Sequence, residues 1–278
     1  MNEAPKHPWP PRYYEAEVDP ETGDSVFAPV GLARSPWDPR AIAGGPISAL
    51  LASAAENAEL DEEFEIARFQ VDIFGKVPFQ PLSVATHVLR QGRQTGLHRL
   101  VLMAGGKPVA QAHVLRVRRL DTPTFPVAYD YPPPDSLPIE DGPSAARMAG
   151  AITMRRIEGG PGIPGRGVCW LAMNGQVIGG ITPSPFVKAC LFADFGNGFG
   201  NATPSHEWSF ANLDITLQFL RMPVGDWFLI DAQTHMAGNG HGTASNTFAD
   251  AHGVYARGFQ TIFVAPGHTP PSVPQAPR

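Results

Sequence analysis

The chain has 278 residues, is 43% hydrophobic, and carries 21 Lys and Arg against 26 Asp and Glu. The formal charge of −5 gives no electrostatic reason to expect nucleic acid or an anionic membrane as a partner, and no apolar run approaches the roughly 20 residues that span a bilayer. The segment 1–12 is polar and Pro-rich, without the apolar core of a secretion signal, so we expect a cytoplasmic protein of one or two domains.

The cysteine count also limits the possible chemistry. Cys169 and Cys190 are too few for a disulfide framework or a four-cysteine zinc site. The histidines and acidic residues lack the tight spacing of metal ligands, and we therefore expect no metal site.

The first half of the chain predicts a helix followed by strands. Pro46 suits the first turn of a helix over Gly44–Ala55, and Ile47, Leu50 and Leu51 share one apolar face. Gly105 and Gly106 favour a hairpin turn between the last two strands. The strands are predicted at Ala67–Phe74, Leu82–Arg90, Arg99–Met103 and Val109–Arg118. This order is typical of an α+β domain.

The second half repeats that order after a Pro-rich segment. We predict a linker over residues 121–147, a loop over Gly159–Gly167, a turn over Gly175–Gly180 and a helix over Pro185–Phe195. The strands that follow are predicted at Trp208–Phe219, Trp227–Thr234, Thr243–Phe248 and Val254–Val264. The chain therefore divides into domains at residues 13–120 and 148–266, and the Pro-rich tail 267–278 is predicted to be disordered.

A single offset of 145 residues relates the two halves. It aligns Lys76-Val77-Pro78 with Arg221-Met222-Pro223, and it also aligns Val109-Ala110 with Val254-Tyr255. Because one offset serves both early and late parts of each half, the sequence predicts an internal duplication.

Several short motifs, in this order, resemble those of the tandem or double hotdog acyl-CoA thioesterases, the type II bacterial and peroxisomal group. The motifs are Gly44-Gly45, Arg90-x-Gly92, Gly106-Lys107-Pro108, Leu213-Asp214, Phe219-Leu220-Arg221-Met222-Pro223, Asp226-Trp227 and Gly258-Phe259-Gln260. The resemblance implies an α+β double hotdog fold, in which each of two antiparallel sheets wraps a long helix. It also implies an acyl-CoA substrate, no cofactor other than the coenzyme A of that substrate, and a homo-oligomer that associates through its sheets.

The same resemblance implies a site in which an Asp, a Ser or Thr, and a Gln hold a water. The Asp position falls on Asp214 and the Gln position on Gln260, whereas the hydroxyl position falls on His235, with Thr234 one residue earlier. The implied reaction is hydrolysis of an acyl-CoA thioester to free acid and coenzyme A by a water activated at Asp214. The chain departs from the family at Ala43, where the family usually has His.

The residue types fit those roles, although each has a structural alternative. Asp214 suits a general base or a strand-edge carboxylate bonded to a backbone N–H, and Gln260 suits either water positioning or a satisfied core amide. Gly44 and Gly45 open a helix, so their N–H groups suit an oxyanion hole or a compact helix cap.

Two other functions stay open from sequence alone. The first is a non-catalytic acyl-CoA-binding protein on the same fold. The second is a hotdog enoyl-CoA hydratase, which would need a His paired with a carboxylate, such as His235 with Asp214. A basic cluster at Arg116, Arg118 and Arg119 either meets coenzyme A phosphates or is a solvated strand end.

Overall fold

The computed structural model of the chain describes residues 10–18, 20, 23, 25–57, 63–140, 150–203 and 207–267. Six strands belong to the first half: β1 (Arg12–Val18), β2 (Ser25–Pro29), β3 (Phe64–Ile73), β4 (Leu82–Gln91), β5 (Thr95–Ala104) and β6 (Lys107–Arg118). Eight belong to the second: β7 (Ile152–Glu158), β8 (Gly167–Met173), β9 (Gln176–Ile178), β10 (Trp208–Asn212), β11 (Asp214–Phe219), β12 (Trp227–Met236), β13 (His241–Asp250) and β14 (Gly253–Pro266). The helices are α1 (Gly44–Asn57), α2 (Pro185–Phe192) and α3 (Gly196–Phe199), with a 3₁₀ turn at Ala193–Phe195 between the last two.

The strands form one sheet with matching order in both halves. The first half runs β3-β6-β5-β4-β2-β1, and the second runs β11-β14-β13-β12-β8-β7. The halves join where β3 and β11 pair antiparallel, with Asp72 opposite Asp214 and Arg68 opposite Gln218. This shared order agrees with the predicted internal duplication, and the architecture is the α+β double hotdog that the resemblance implied.

The helices cover one face of the sheet, here called the inner face. Ile47, Leu50 and Leu51 of α1 are almost fully buried, as the apolar spacing predicted. Ser48 donates a hydrogen bond of 2.7 Å to the carbonyl of Cys190, which joins α1 to α2. Both helices and both halves of the sheet contribute to one continuous hydrophobic core.

Most of the predicted elements are confirmed within a few residues, but four predictions are wrong. Strands β1 and β2 precede α1, and β7 and β8 precede α2, so neither half begins with its helix. The turn predicted over Gly175–Gly180 contains β9, which pairs parallel with β1. The second helix changes to a 3₁₀ turn after Phe192, and the strand predicted over Trp208–Phe219 is broken at Leu213.

The predicted linker packs on the second half. Residues 121–140 contain a single 3₁₀ turn, Pro134–Ser136, and cross the outer face of the sheet. The indole N–H of Trp170 donates to the carbonyl of Pro132 at 2.9 Å, and Tyr131 donates to Asp231 at 2.5 Å. Residues 141–147 of that linker and 268–278 of the predicted tail lie outside the described residues, and the domain boundaries stay predictions.

Candidate functional site

A carboxylate from the second half lies at the start of the first half's helix. Asp194, in the 3₁₀ turn after α2, accepts a 2.7 Å hydrogen bond from the backbone N–H of Gly45, 149 residues away. Asn212, at the end of β10, donates to the other carboxylate oxygen at 2.7 Å. The first N–H groups of a helix have no intrahelical acceptor and carry partial positive charge, so this position favours a negatively charged group.

Glycine is needed at position 44 because the carboxylate comes so close. A Cβ at Gly44 would lie 2.3 Å from Asp194 Oδ1, well inside van der Waals contact. At Gly45 a Cβ would lie 3.0 Å from the carbonyl oxygen of Leu191. The predicted oxyanion candidates are therefore placed at the contact between the two halves, where the Gly45 N–H is already bonded to Asp194.

The surroundings of Asp194 change its acidity. Burial raises the pKa of its carboxyl above the ordinary value, and the hydrogen bonds from Asn212 and Gly45 only partly oppose this. A carboxylate with a raised pKa is a stronger base than an ordinary Asp.

Gln260 joins the same cluster from the sheet. It is 1% exposed on the inner face of β14. Its Oε1 accepts from the backbone N–H of Asn197 at 2.8 Å, and its Nε2 donates to the carbonyl of Asp194 at 3.0 Å. Gln260 therefore fixes the segment that carries Asp194, and its amide is hydrogen-bonded at both ends, as in the satisfied core amide that sequence analysis gave as the alternative to water positioning.

Thr234 lies on the same face, two strands from Gln260. The register places Ala244 opposite both residues, so their backbones are about 10 Å apart. The Thr234 hydroxyl is buried and has no hydrogen-bond partner among the described residues, and the same holds for both polar side-chain atoms of Asn246. Groups of this kind are where a water or a polar ligand would bind.

Asp214 and His235 point to the opposite, outer face. Asn212 pairs with Ile262 and Thr216 with Phe259, so β10–β11 holds one more residue than β14 over this stretch. An extra residue of this kind reverses the alternation of side chains. As a result Asn212 faces inward, and Asp214 accepts a hydrogen bond from the Thr261 N–H.

His235 is exposed at the end of β12. Strands β14 and β13 separate β11 from β12, which places the backbones of Asp214 and His235 about 14 Å apart. The structure therefore brings together Gly44, Gly45, Gln260 and, at longer range, Thr234, but not Asp214 or His235. The catalytic roles assigned to all six residues stay predictions.

Sequence reasoning missed Asp194. The available signal was the one carboxylate in the mostly apolar helical stretch Pro185–Phe195, whose other charged residue is Lys188, because a charge on a buried helix needs a partner. That partner, Gly45 of the other half, is not identifiable from the local sequence.

The residues of the predicted basic cluster form hydrogen bonds and ion pairs within the protein. Arg116 is 4% exposed and donates to the carbonyl of Ala55 at 2.7 Å, and Arg118 pairs with Glu63.

Within the part of the chain that the structure describes, no group of three or more His, Cys, Asp or Glu is placed to hold a metal ion. None of the described helices is long and apolar enough to span a membrane.

One sheet whose halves have matching strand order and pair edge to edge, with helices packed on its inner face, defines a tandem hotdog protein with a polar cluster at the contact of its halves. Family models identify the protein more closely. The model "Acyl-CoA thioesterase N-terminal domain" matches residues 33–117, and "Acyl-CoA thioesterase C-terminal domain" matches residues 128–264. The chain belongs to this acyl-CoA thioesterase family and is a thioester hydrolase.

Solved structures share the fold at low sequence identity. A hotdog-fold protein of unknown function from Alicyclobacillus acidocaldarius has a TM-score of 0.69 at 16% identity, covering 87% of this chain and 92% of its own. A putative thioesterase II from Thermobifida fusca has a TM-score of 0.66 at 15% identity, with the same coverage. A putative thioesterase from Novosphingobium aromaticivorans has a TM-score of 0.62 at 22% identity, covering 80% and 87%. No curated protein resembles the chain closely enough in sequence to count as a match.

Proposed function

We propose that the chain hydrolyses an acyl-CoA thioester to free acid and coenzyme A, with Asp194 as the general base. The reaction takes place at the cluster of Asp194, Gly45, Asn212 and Gln260, here called the inner-face cluster. The observation that supports this most directly is the carboxylate of Asp194 at the start of α1, with a raised pKa and hydrogen bonds to Gly45 and Asn212. Gln260, which the family resemblance implied, is bonded to the same segment.

The reaction proceeds through addition and elimination. A water gives its proton to Asp194 as its oxygen attacks the thioester carbonyl, and the carbonyl oxygen becomes an oxyanion. Collapse of this intermediate breaks the C–S bond, and the proton passes from Asp194 to the departing thiolate of coenzyme A. The buried hydroxyl of Thr234 on this face has no partner among the described residues and suits a hydrogen bond to the water.

The proposed base, Asp194, accepts a hydrogen bond from the N–H that we propose as the oxyanion donor, that of Gly45. The carboxylate of Asp194 must be ionised to act as a base. When Asp194 takes up the water's proton it loses its negative charge, which weakens that hydrogen bond. The Gly45 N–H then becomes available as the oxyanion forms, which supports the role that sequence analysis gave to the Gly44-Gly45 turn.

The test is free-thiol release from acyl-CoA esters from acetyl to palmitoyl, with aromatic examples, for the wild type, Asp194→Asn and Asp214→Asn. Loss of a general base costs about 10²–10⁴ in rate, so we expect Asp194→Asn to lose at least about 100-fold and Asp214→Asn to stay within about tenfold. Thermal unfolding of each variant checks that it is folded.

A large loss of rate in Asp214→Asn with little loss in Asp194→Asn would identify Asp214 as the general base and contradict the role proposed for Asp194. Absence of thiol release from every ester, with acyl-CoA still bound, would favour the non-catalytic binding protein. Water addition to crotonyl-CoA would favour the hydratase, although the His235–Asp214 pair that it needs is not formed.

We also propose that the protein is cytoplasmic and forms a homo-oligomer through its sheets. Support for the oligomer comes from exposed apolar side chains on the outer face near the junction of the halves, notably Phe259 at 47% and Phe263 at 52% exposure. Light scattering with size-exclusion chromatography tests it, with Phe263→Ser expected to shift the assembly toward monomer.

A further inference from the structure

A basic loop leads into the start of α1. The loop 34–43 carries Arg34, Asp38 and Arg40, and the neighbouring loop 74–80 adds Lys76. Backbone hydrogen bonds hold the two loops together, from Ile42 N–H to the Val77 carbonyl and from Phe79 N–H to the Arg40 carbonyl, both at 2.9 Å. The pair of loops therefore presents three cations and one carboxylate on a chain of net negative charge.

Asp38 holds two of these cations side by side. Arg40 donates to it through Nε at 3.0 Å and Nη2 at 3.1 Å, and Lys76 donates at 3.1 Å. The side chains of Arg40 and Lys76 are nevertheless 86% and 76% exposed. Among the described residues Nη1 of Arg40 has no acceptor, and an ammonium group has two further donors, so the pair can also bind an anion from solvent.

An exposed aromatic side chain near this pair contacts the strand that leads to the inner-face cluster. Trp37 is 56% exposed and contacts the ring of Phe210 edge-on, with centroids 6.4 Å apart. Phe210 is two residues before Asn212 on β10, or about 7 Å away along the strand, and Asn212 donates to Asp194. Arg40 is five residues from Gly45, so their Cα atoms are at most about 18 Å apart.

The second half has no counterpart to this surface. The segment that leads into α2, residues 175–184, contains no Lys or Arg. The residue that aligns with Lys76, Arg221, forms two hydrogen bonds to the buried carboxylate of Asp250. Of the two helix starts, the one that faces Asp194 is therefore the one with exposed cations beside it among the described residues.

We propose that Arg40 and Lys76 bind the phosphates of the substrate's coenzyme A, and that Trp37 stacks on its adenine. This inference rests on the proposed function, since the nucleotide is part of the acyl-CoA substrate. The nucleotide then lies on the loops at the surface, and the pantetheine arm carries the thioester inward past Phe210 to Asp194. Arg34, whose guanidinium lies 3.7 Å from the centroid of the Phe79 ring, adds positive charge at the same surface.

Calorimetric titration tests this independently of hydrolysis. The probes are coenzyme A and adenosine 3′,5′-bisphosphate, which lacks the pantetheine arm, and the variants are Arg40→Ala, Lys76→Ala and Trp37→Ala. The matched control is Arg93→Ala, which removes the same charge beyond the far end of β4, about 30 Å along the strand.

We expect each of the three loop variants to weaken binding of both probes about tenfold or more. For the two charge variants the KM for acyl-CoA should rise while kcat is unchanged, and wild-type affinity should fall with added salt. Arg93→Ala should bind like the wild type. Nucleotide binding that is lost in these variants would support the inference even if no ester were hydrolysed. Wild-type affinity in all three variants, or equal weakening in Arg93→Ala, would overturn it while leaving the proposed hydrolysis intact.

Discussion

Two neighbouring glycines in α3 provide a matched test of the inner-face cluster. A Cβ at Gly196 would lie 2.2 Å from Asn246 Oδ1 and 2.6 Å from Gln260 Oε1, whereas a Cβ at Gly198 meets no described atom within 4 Å. Ordinary contact begins near 3.4 Å. In Gly196→Ala the Gln260 amide must therefore move by about 0.8 Å and the Asn246 amide by about 1.2 Å.

The expected cost to stability is small, but the cost to rate is large. Overpacking costs about 1–3 kcal/mol, and alanine regains about 1 kcal/mol over glycine in a helix, so Gly196→Ala should lose about 0–2 kcal/mol of stability. Displacement of a positioning group by about 1 Å can lower the rate on the order of 100-fold, or about 2.7 kcal/mol of activation free energy. Gly198→Ala should keep full activity and equal or greater stability.

The assay is the initial rate of thiol release on the best ester of the panel, together with urea unfolding of both variants. A Gly196→Ala enzyme as active as Gly198→Ala would refute the placement of the reacting atoms beside Gln260 and Asn246. Global unfolding of Gly196→Ala would show in the urea curve as a loss well beyond 2 kcal/mol.

Two further substitutions test the inner-face cluster and the Arg221–Asp250 ion pair. Gln260→Met keeps the side-chain volume but removes the acceptor of the Asn197 N–H and one of the two side-chain donors to the carbonyl of Asp194, the other being Asn212. Stability should therefore fall by about 1–3 kcal/mol, and the rate should fall with it; an unchanged rate would contradict its role. Burial opposes ionisation of Asp250, but hydrogen bonds from Arg221, Val224 and His252 outweigh this and hold its pKa below the ordinary value. Its stabilising effect is therefore present above the unfolded-state pKa and lost as the pH falls through the folded-state pKa. Asp250→Asn should cost about 3 kcal/mol at neutral pH, and a urea-unfolding difference that did not shrink on acidification would contradict the ion pair.

Sequence patterns alone predict most of the repeated elements and part of the inner face. Apolar spacing located α1, and Gly105 and Gly106 marked a hairpin turn, where the two glycines have φ of 54° and 75°. These patterns are readable because each reflects a local backbone preference or one buried face. The family resemblance selected Gln260, which lies buried in the cluster.

Features that depend on contacts between residues far apart in the sequence are visible only in the tertiary structure. Strand β8 was missed because residues 167–172 are all buried: the helices cover one face and the segment around Tyr131 covers part of the other, so no alternation is left to read. The face that Asp214 presents depends on one extra residue relative to β14, and local sequence does not reveal the partner's register. The pairing of Asp194 with Gly45 joins residues 149 positions apart. It exists only because the two halves pack with the start of one helix against the end of the other, which places a carboxylate where unpaired N–H groups attract it.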